Sequence, residues 1–142
     1  MNYATTTNAG FLLAKAMQRW NELLLERFAA AGFPEVRPSY GSVLLPLFEA
    51  DGLRMGEIAR RARLSKPSMT ALVRECEQHG LVRRERDPDD GRAYRVVLTE
   101  RGRRFREVAD EVLGELDALV AAKLGRDGAD ALERGLRGVI EL

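Results

Sequence analysis

The sequence predicts a mainly α fold interrupted by one small β-hairpin. Two β-prone runs, Leu81 to Arg86 and Ala93 to Leu98, are joined by a Pro and Asp-Gly tip, which reads as a hairpin whose turn needs positive φ at Gly91. An amphipathic stretch from Lys66 to Gln78 leads into it, and a helix capped by Thr99 leaves it. Further amphipathic stretches lie on both sides. A hairpin that carries Arg92 at its exposed tip, set between two such helices, is what a winged helix-turn-helix needs to hold a duplex at two grooves. The predicted class is therefore a winged helix-turn-helix with N- and C-terminal dimerisation helices.

Each element has its own signal. Leu13, Met17, Trp20, Leu24 and Phe28 recur at three- and four-residue steps, the stripe of a helix ending near Gly32-Phe33-Pro34. Leu12, Ala16, Leu23 and Leu25 widen that stripe beyond one face, so the helix wants a second partner. After a linker from Pro34 to Pro38, Tyr40 to Glu49 reads as a short helix with Val43, Leu44, Leu47 and Phe48 inward, against the contrary signals of Gly41 and Pro46. Asp51-Gly52 is a turn and Leu53-Arg54-Met55 a short strand. Ile58, Ala59 and Ala62 mark the inner face of the next helix, which closes at Leu64-Ser65.

Ser65 is a good N-cap and Pro67 falls in the first turn, where no amide is missed; Met69, Leu72, Val73 and Cys76 form the inner stripe of a helix ending at Gly80. At 100° per residue, Pro67, Thr70, Ala71, Arg74 and Gln78 share the opposite face. Beyond the hairpin, Phe105, Val108, Ala109, Val112, Leu116, Leu119 and Val120 line a long helix that stops at Leu124-Gly125. Asp127 is expected to cap a last helix carrying Leu132, Leu136, Val139 and Ile140. The boundaries follow: a DNA-binding lobe over 40–102, and dimerisation helices over 8–32 and 103–142, in one domain spanning 1–142. The apolar surplus at both ends is most economically covered by a second copy, because operator palindromes are bound by two-fold pairs.

Charge is distributed to match. The chain is nearly neutral at +1, yet Arg54 to Arg106 holds 15 Lys/Arg against 8 Asp/Glu, a local +7, while the remainder carries −6. The field that attracts phosphate is thus confined to the part holding the hairpin and the helix before it.

Cys76 is the single cysteine, which rules out an intrachain disulfide or a multi-cysteine metal knuckle and suits a reducing cytoplasm. The apolar run Phe11-Leu12-Leu13-Ala14 is broken at Lys15, too short for a signal peptide or membrane span. A soluble cytoplasmic protein without a membrane partner is expected. Cys76 sits on an apolar stripe, where a thiol behaves as a small hydrophobe. His79, the sole histidine, lies at a helix end and lacks companions for a metal site. No Ser/His/Asp set, phosphate-binding glycine loop or His-Glu-His helix can be assembled. Neither an enzyme nor a cofactor or metal is expected.

The candidate DNA contacts are Ser65, Lys66, Ser68, Thr70 and Arg74 on the helix, and Asp90 and Arg92 at the hairpin tip. Short hydroxyls and helix N-terminal amides suit phosphate, and Arg74 can grip a guanine through two bonds. Arg92 suits the narrow, electronegative minor groove, with Asp90 placed to orient it. Arg83, Arg84, Arg86 and Arg95 are phosphate contacts or core-edge pairs. The plainer alternative for the helix is a solvated face, and for Arg92 a surface turn with an incidental ion pair.

The string Gly80-Leu81-Val82, Arg84, Asp87-Pro88, Asp90-Gly91-Arg92, Leu98-Thr99-Glu100 and Gly102 resembles the signature of the MarR family of winged helix-turn-helix transcription regulators. Met55 to Ser65 is similar to the first helix of that family's motif, and Lys66 to Gln78 to its recognition helix. The resemblance implies a transcription regulator, a repressor above all, that dimerises through its terminal helices on double-stranded DNA. It also implies a small aromatic or anionic effector held in a crevice between the dimerisation helices and the DNA-binding lobe. Arg19, Trp20 and Tyr40 are the candidates for that pocket, against a plainer role for Trp20 in the core. Family members that sense peroxides use a cysteine near the N-terminus, where this chain has none. The rival readings are a winged helix used for protein contacts or architectural DNA binding, and a small enzyme with a cryptic site.

Overall fold

The computed structural model describes residues 4–142. Five helices and three strands follow one another: α1 (Ala9–Ala30), a single 3-10 turn at Pro38–Tyr40, α2 (Gly41–Glu49), β1 (Leu53–Arg54), α3 (Met55–Ala62), α4 (Lys66–Gln78), β2 (Val82–Asp87), β3 (Asp90–Leu98) and α5 (Glu100–Ile140). The chain forms two compact units, Met1–Ala109 and Asp110–Leu142.

In the first unit, α2 forms despite Pro46, and Val43, Leu44 and Leu47 on it are buried. The missing amide removes one helical bond, and burial of the apolar face outweighs it. Phe105 is the centre of an aromatic cluster. Its ring meets Phe28 at 4.9 Å and Phe33 at 5.1 Å, both edge to face. On α1 the core takes Leu24 and Phe28 only, whereas Leu13 and Met17 stay exposed and Trp20 is half-buried. The expected stripe is thus split along its length.

The three strands form one antiparallel sheet in the order β1-β3-β2. Leu53 pairs with Val96 and Arg54 with Arg95, while Val82 to Arg86 run opposite Leu98 to Tyr94. Met55, expected in the strand, is instead the first residue of α3. Thr99 caps α5 as expected, its Oγ1 accepting from Gly102 N at 3.0 Å.

Gly91 corrects one expectation. Its φ is not positive, and the residue lies inside β3. The chain reverses earlier, at Pro88-Asp89, because proline fixes its own φ for a turn and the Asp87 carboxylate accepts from Asp89 N at 2.9 Å. Asp87 then pairs with Asp90, and the register jumps to Arg86 opposite Tyr94, so residues 91–93 form a bulge with no counterpart on β2.

The second unit is helical and contains a break at Gly125, whose φ of 75° and ψ of 167° interrupt α5. The interruption falls where the stripe was expected to stop. Val112 and Leu116 are buried, whereas Leu119, Leu124, Leu132, Leu136, Val139 and Ile140 are exposed. Among the described residues no helix is long and apolar enough to cross a membrane.

Candidate nucleic-acid interface

Helix α4 is set by its ends and its inner face. Ser65 stands in extended conformation at the N-cap, and its Oγ accepts from Ser68 N at 3.2 Å while donating to Ser68 Oγ at 3.0 Å. Met69, Val73 and Cys76 are fully buried. That pins the rotation of the helix and turns Lys66, Ser68, Ala71, Arg74 and Gln78 outward, all exposed. Thr70 is different: it is half-buried, and its hydroxyl donates to the Lys66 carbonyl at 2.8 Å. Its donor is spent within the helix, so only its acceptor capacity remains.

The wing is held by carboxylates. Asp87 is the one buried charged residue among those described, at 7% exposure, and its second oxygen accepts from Arg54 Nε at 2.7 Å. The Asp89 amide and then the Arg54 guanidinium hold the Asp87 carboxyl below its usual range. Asp90 accepts from the backbone amide of Arg92 at 3.0 Å. Asp90 thus fixes the main chain at the tip, and the exposed Arg92 side chain carries no ion pair among the described residues. At the base of the sheet, Asp51 Oδ1 accepts from both Gly52 N and Leu98 N at 2.9 Å.

Two other wing arginines are engaged inside the protein. Arg83 pairs with Glu85, and Arg84 with Glu77, both at 2.9 Å. Among the described residues, Arg86 is exposed without an ion pair, and Arg95 Nε is buried without a hydrogen-bond partner. The sequence assigns Asp87 no structural role, and it gives Asp51 only a turn and Arg54 only a short strand. Only the Asp-Pro and Asp-Gly dipeptides signalled those carboxylates, and they signal turns rather than the distant partners.

The three effector candidates differ in exposure and partners. Arg19 is exposed and pairs with Glu22 at 3.2 Å, Trp20 is half-buried, and Tyr40 is 1% exposed. Burial, and then the charge of Glu75, raise the Tyr40 phenol above its ordinary value. A crevice of about 590 Å³ nearby is lined instead by Asn21, Leu25, Pro34, Glu35, Arg37, Pro38, Ser39 and His79. Burial pushes the Cys76 thiol up to about 12, far from the thiolate a redox sensor needs. Among the described residues no group of three or more His, Cys, Asp or Glu side chains could hold a metal.

A family model described as MarR family matches residues 38–93, from the 3-10 turn to the wing tip. HTH-type transcriptional repressor Rv2887 of Mycobacterium tuberculosis is 33% identical over 110 residues, 71% of this chain and 79% of that protein. The chain belongs to the MarR family. Members are transcriptional regulators rather than enzymes, and this one is a DNA-binding regulator built as a winged helix. HTH-type transcriptional regulator TtmR of Methylorubrum extorquens is 36% identical over 92 residues, covering 65% of this chain but only 44% of that protein. Among solved structures, the transcriptional repressor CouR bound to a 23-mer DNA duplex superposes with a TM-score of 0.81 at 28% identity, covering 98% of this chain and 99% of that one. CouR bound to p-coumaroyl-CoA superposes at 0.79, over 93% and 91%.

Proposed function

We propose that this MarR-family chain is a sequence-specific repressor that binds a pseudo-palindromic operator as a homodimer and is released by a small aromatic or anionic effector. The observation that carries the reading is Arg92, unpaired and exposed on a tip whose backbone is held by Asp87 and Asp90. A pre-set guanidinium of this kind loses little freedom on entering a minor groove. In the neighbouring major groove, Arg74 addresses a base edge, Lys66 and the Ser68 hydroxyl serve phosphates with Ser65 orienting Ser68, and the free lone pairs of Thr70 accept from a base amino group. Residues 40–102 form the DNA-binding lobe in this reading.

The dimer is supported by exposed apolar side chains in the segments 8–32 and 103–142, among them Phe11, Leu12, Met17, Leu132, Val139 and Ile140. A second copy covers them. For the effector, the 590 Å³ crevice offers apolar walls at Leu25 and Pro34 beside the cationic Arg37, a chemistry that suits an organic anion better than the dispersed Arg19, Trp20 and Tyr40. Ligand release works by favouring a dimer geometry with mismatched half-site spacing. The site of action is the cytoplasm, where the operator is.

Selection of the preferred duplex from random DNA, followed by titration at several salt concentrations, tests the reading. The selected sequence should keep an advantage of roughly a thousandfold over a scrambled one, with a log-log salt slope of about −5 or steeper. Light scattering should give twice the chain mass. Equal affinities would leave an architectural DNA binder, and a monomeric mass would remove the palindrome.

A further inference from the structure

Four glycines among the described residues have positive φ: Gly32, Gly52, Gly80 and Gly125. One other residue shares that conformation, Arg63, with φ 55° and ψ 40°. Arg63 ends α3 in the turn of the helix-turn-helix, where Leu64 N donates to Ala59 O at 3.0 Å and closes a left-handed helix stop. Glycine, and after it asparagine, is the residue this position favours, because a Cβ crowds the following carbonyl. A chain that uses glycine at each of its other described positive-φ sites has kept an arginine at this one.

Its charge is also unspent. The neighbouring Arg60 and Arg61 both pair with Glu57, Arg54 with Asp87, and Arg84 with Glu77. Among the described residues of the 40–102 lobe, Arg63 is exposed and has no ion pair, a state it shares there with Lys66, Arg74, Arg86 and Arg92; outside the lobe Arg37, Arg104, Arg126 and Arg134 are in the same state. Two of those, Lys66 and Arg74, lie on α4, and Lys66 is the first helical residue after the Ser65 cap. Arg63 and Lys66 therefore flank that cap and put two uncompensated cations at the end of α4 where backbone amides already favour an anion.

We infer that Arg63 is a DNA-phosphate contact, retained at the cost of backbone strain in the helix-turn-helix. Strain held at an exposed site with no partner inside the protein is the pattern of a residue kept for a ligand. A phosphate contact fixes position and carries no sequence choice, so Arg63 adds to affinity and register while Arg74 and Arg92 discriminate. The inference rests on the operator-binding reading above.

Arg63→Gly and Arg63→Lys, compared with the wild-type chain, separate the possibilities. Thermal unfolding and affinity for the selected and scrambled duplexes are measured from about 50 to about 300 mM salt, a range in which phosphate contacts dominate the salt response. Arg63→Gly should unfold at the same or a higher temperature, by about 2–4 °C, since the strain is relieved. The same variant should bind both duplexes about tenfold more weakly or worse, with the salt slope shallower by about 0.9 for each subunit bound. Arg63→Lys should keep most of the slope. Unchanged affinity and slope in Arg63→Gly would make Arg63 a solvated cation and overturn the inference. A weaker binder that also unfolds earlier, or an Arg63→Lys variant as impaired as the glycine one, would overturn it too. If the wild-type chain shows no preference for any selected duplex, the operator reading fails first, and the slope difference on scrambled DNA still decides the role of Arg63.

Discussion

Arg54 and Asp87 lie 33 residues apart and meet at 2.7 Å through Nε and a carboxylate oxygen, tying β1 to the turn end of β2. Arg54 is half exposed while Asp87 is buried. The carboxylate is therefore the anchored partner, and its other oxygen holds the Pro88-Asp89 turn. Asp87→Asn keeps the shape and removes the charge. Specific duplex binding should weaken by roughly three- to tenfold with helix content unchanged in circular dichroism; equal affinity would show that the wing docks without this tie.

The same carboxylate gives a signed pH response. Its folded pKa lies below the ordinary 3.8 because of the Asp89 amide first and Arg54 second. Its contribution to stability is therefore complete above that ordinary value and is lost as pH falls through the lower, folded one. Acid unfolding followed below about pH 4 should show a shallower dependence on pH in Asp87→Asn than in the wild-type chain. Parallel curves would contradict this assignment.

Arg92→Ala should cost roughly 1–3 kcal/mol of specific binding and leave the unfolding midpoint in place, since the side chain is exposed. Asp90→Ala removes the acceptor for the Arg92 amide and should weaken binding less, because the guanidinium survives on a looser tip. If the alanine at 90 proved the more damaging of the two, the tip backbone rather than the Arg92 side chain would be the contact.

Gly102 leaves no room for a side chain. A Cβ built on it would lie 2.1 Å from the Leu81 carbonyl oxygen, which also accepts from Thr99 N at 3.1 Å. Gly102→Ala must push α5 away from the start of the wing, costing about 1–3 kcal/mol or more in urea unfolding. A midpoint equal to wild type would refute this close approach.

Cys76 should resist alkylation in the folded protein at neutral pH and react on denaturation, because burial holds its thiol pKa near 12. Rapid native labelling would return the redox reading to consideration.

What could be read from sequence was local. The Ser65 cap, the buried stripe of α4, the Thr99 cap and the break near Gly125 each depend on residues a few positions apart, and each stands where it was expected. Gly91 departs from its expected turn because two turn signals overlap in Asp87-Pro88-Asp89-Asp90-Gly91, and the proline turn wins where Asp87 is fixed by Arg54. Asp87 itself was illegible, since its partner is remote in the chain. Arg63 gave no sign either, because an arginine in a helical run does not reveal a left-handed backbone. Tyr40, a candidate for the effector pocket, is 1% exposed, a burial that only packing reveals.

The bond from Leu98 N to Asp51 spans 47 residues. Helices α3 and α4 and the whole hairpin are threaded between its two ends. Closing so long a loop costs more chain entropy than a helical turn or the β2–β3 hairpin, so this bond depends on the enclosed elements being in place. The Leu98 amide thereby becomes a reporter for closure of the sheet: its hydrogen should exchange with solvent more slowly than amides at the wing tip, which exchange through local fraying.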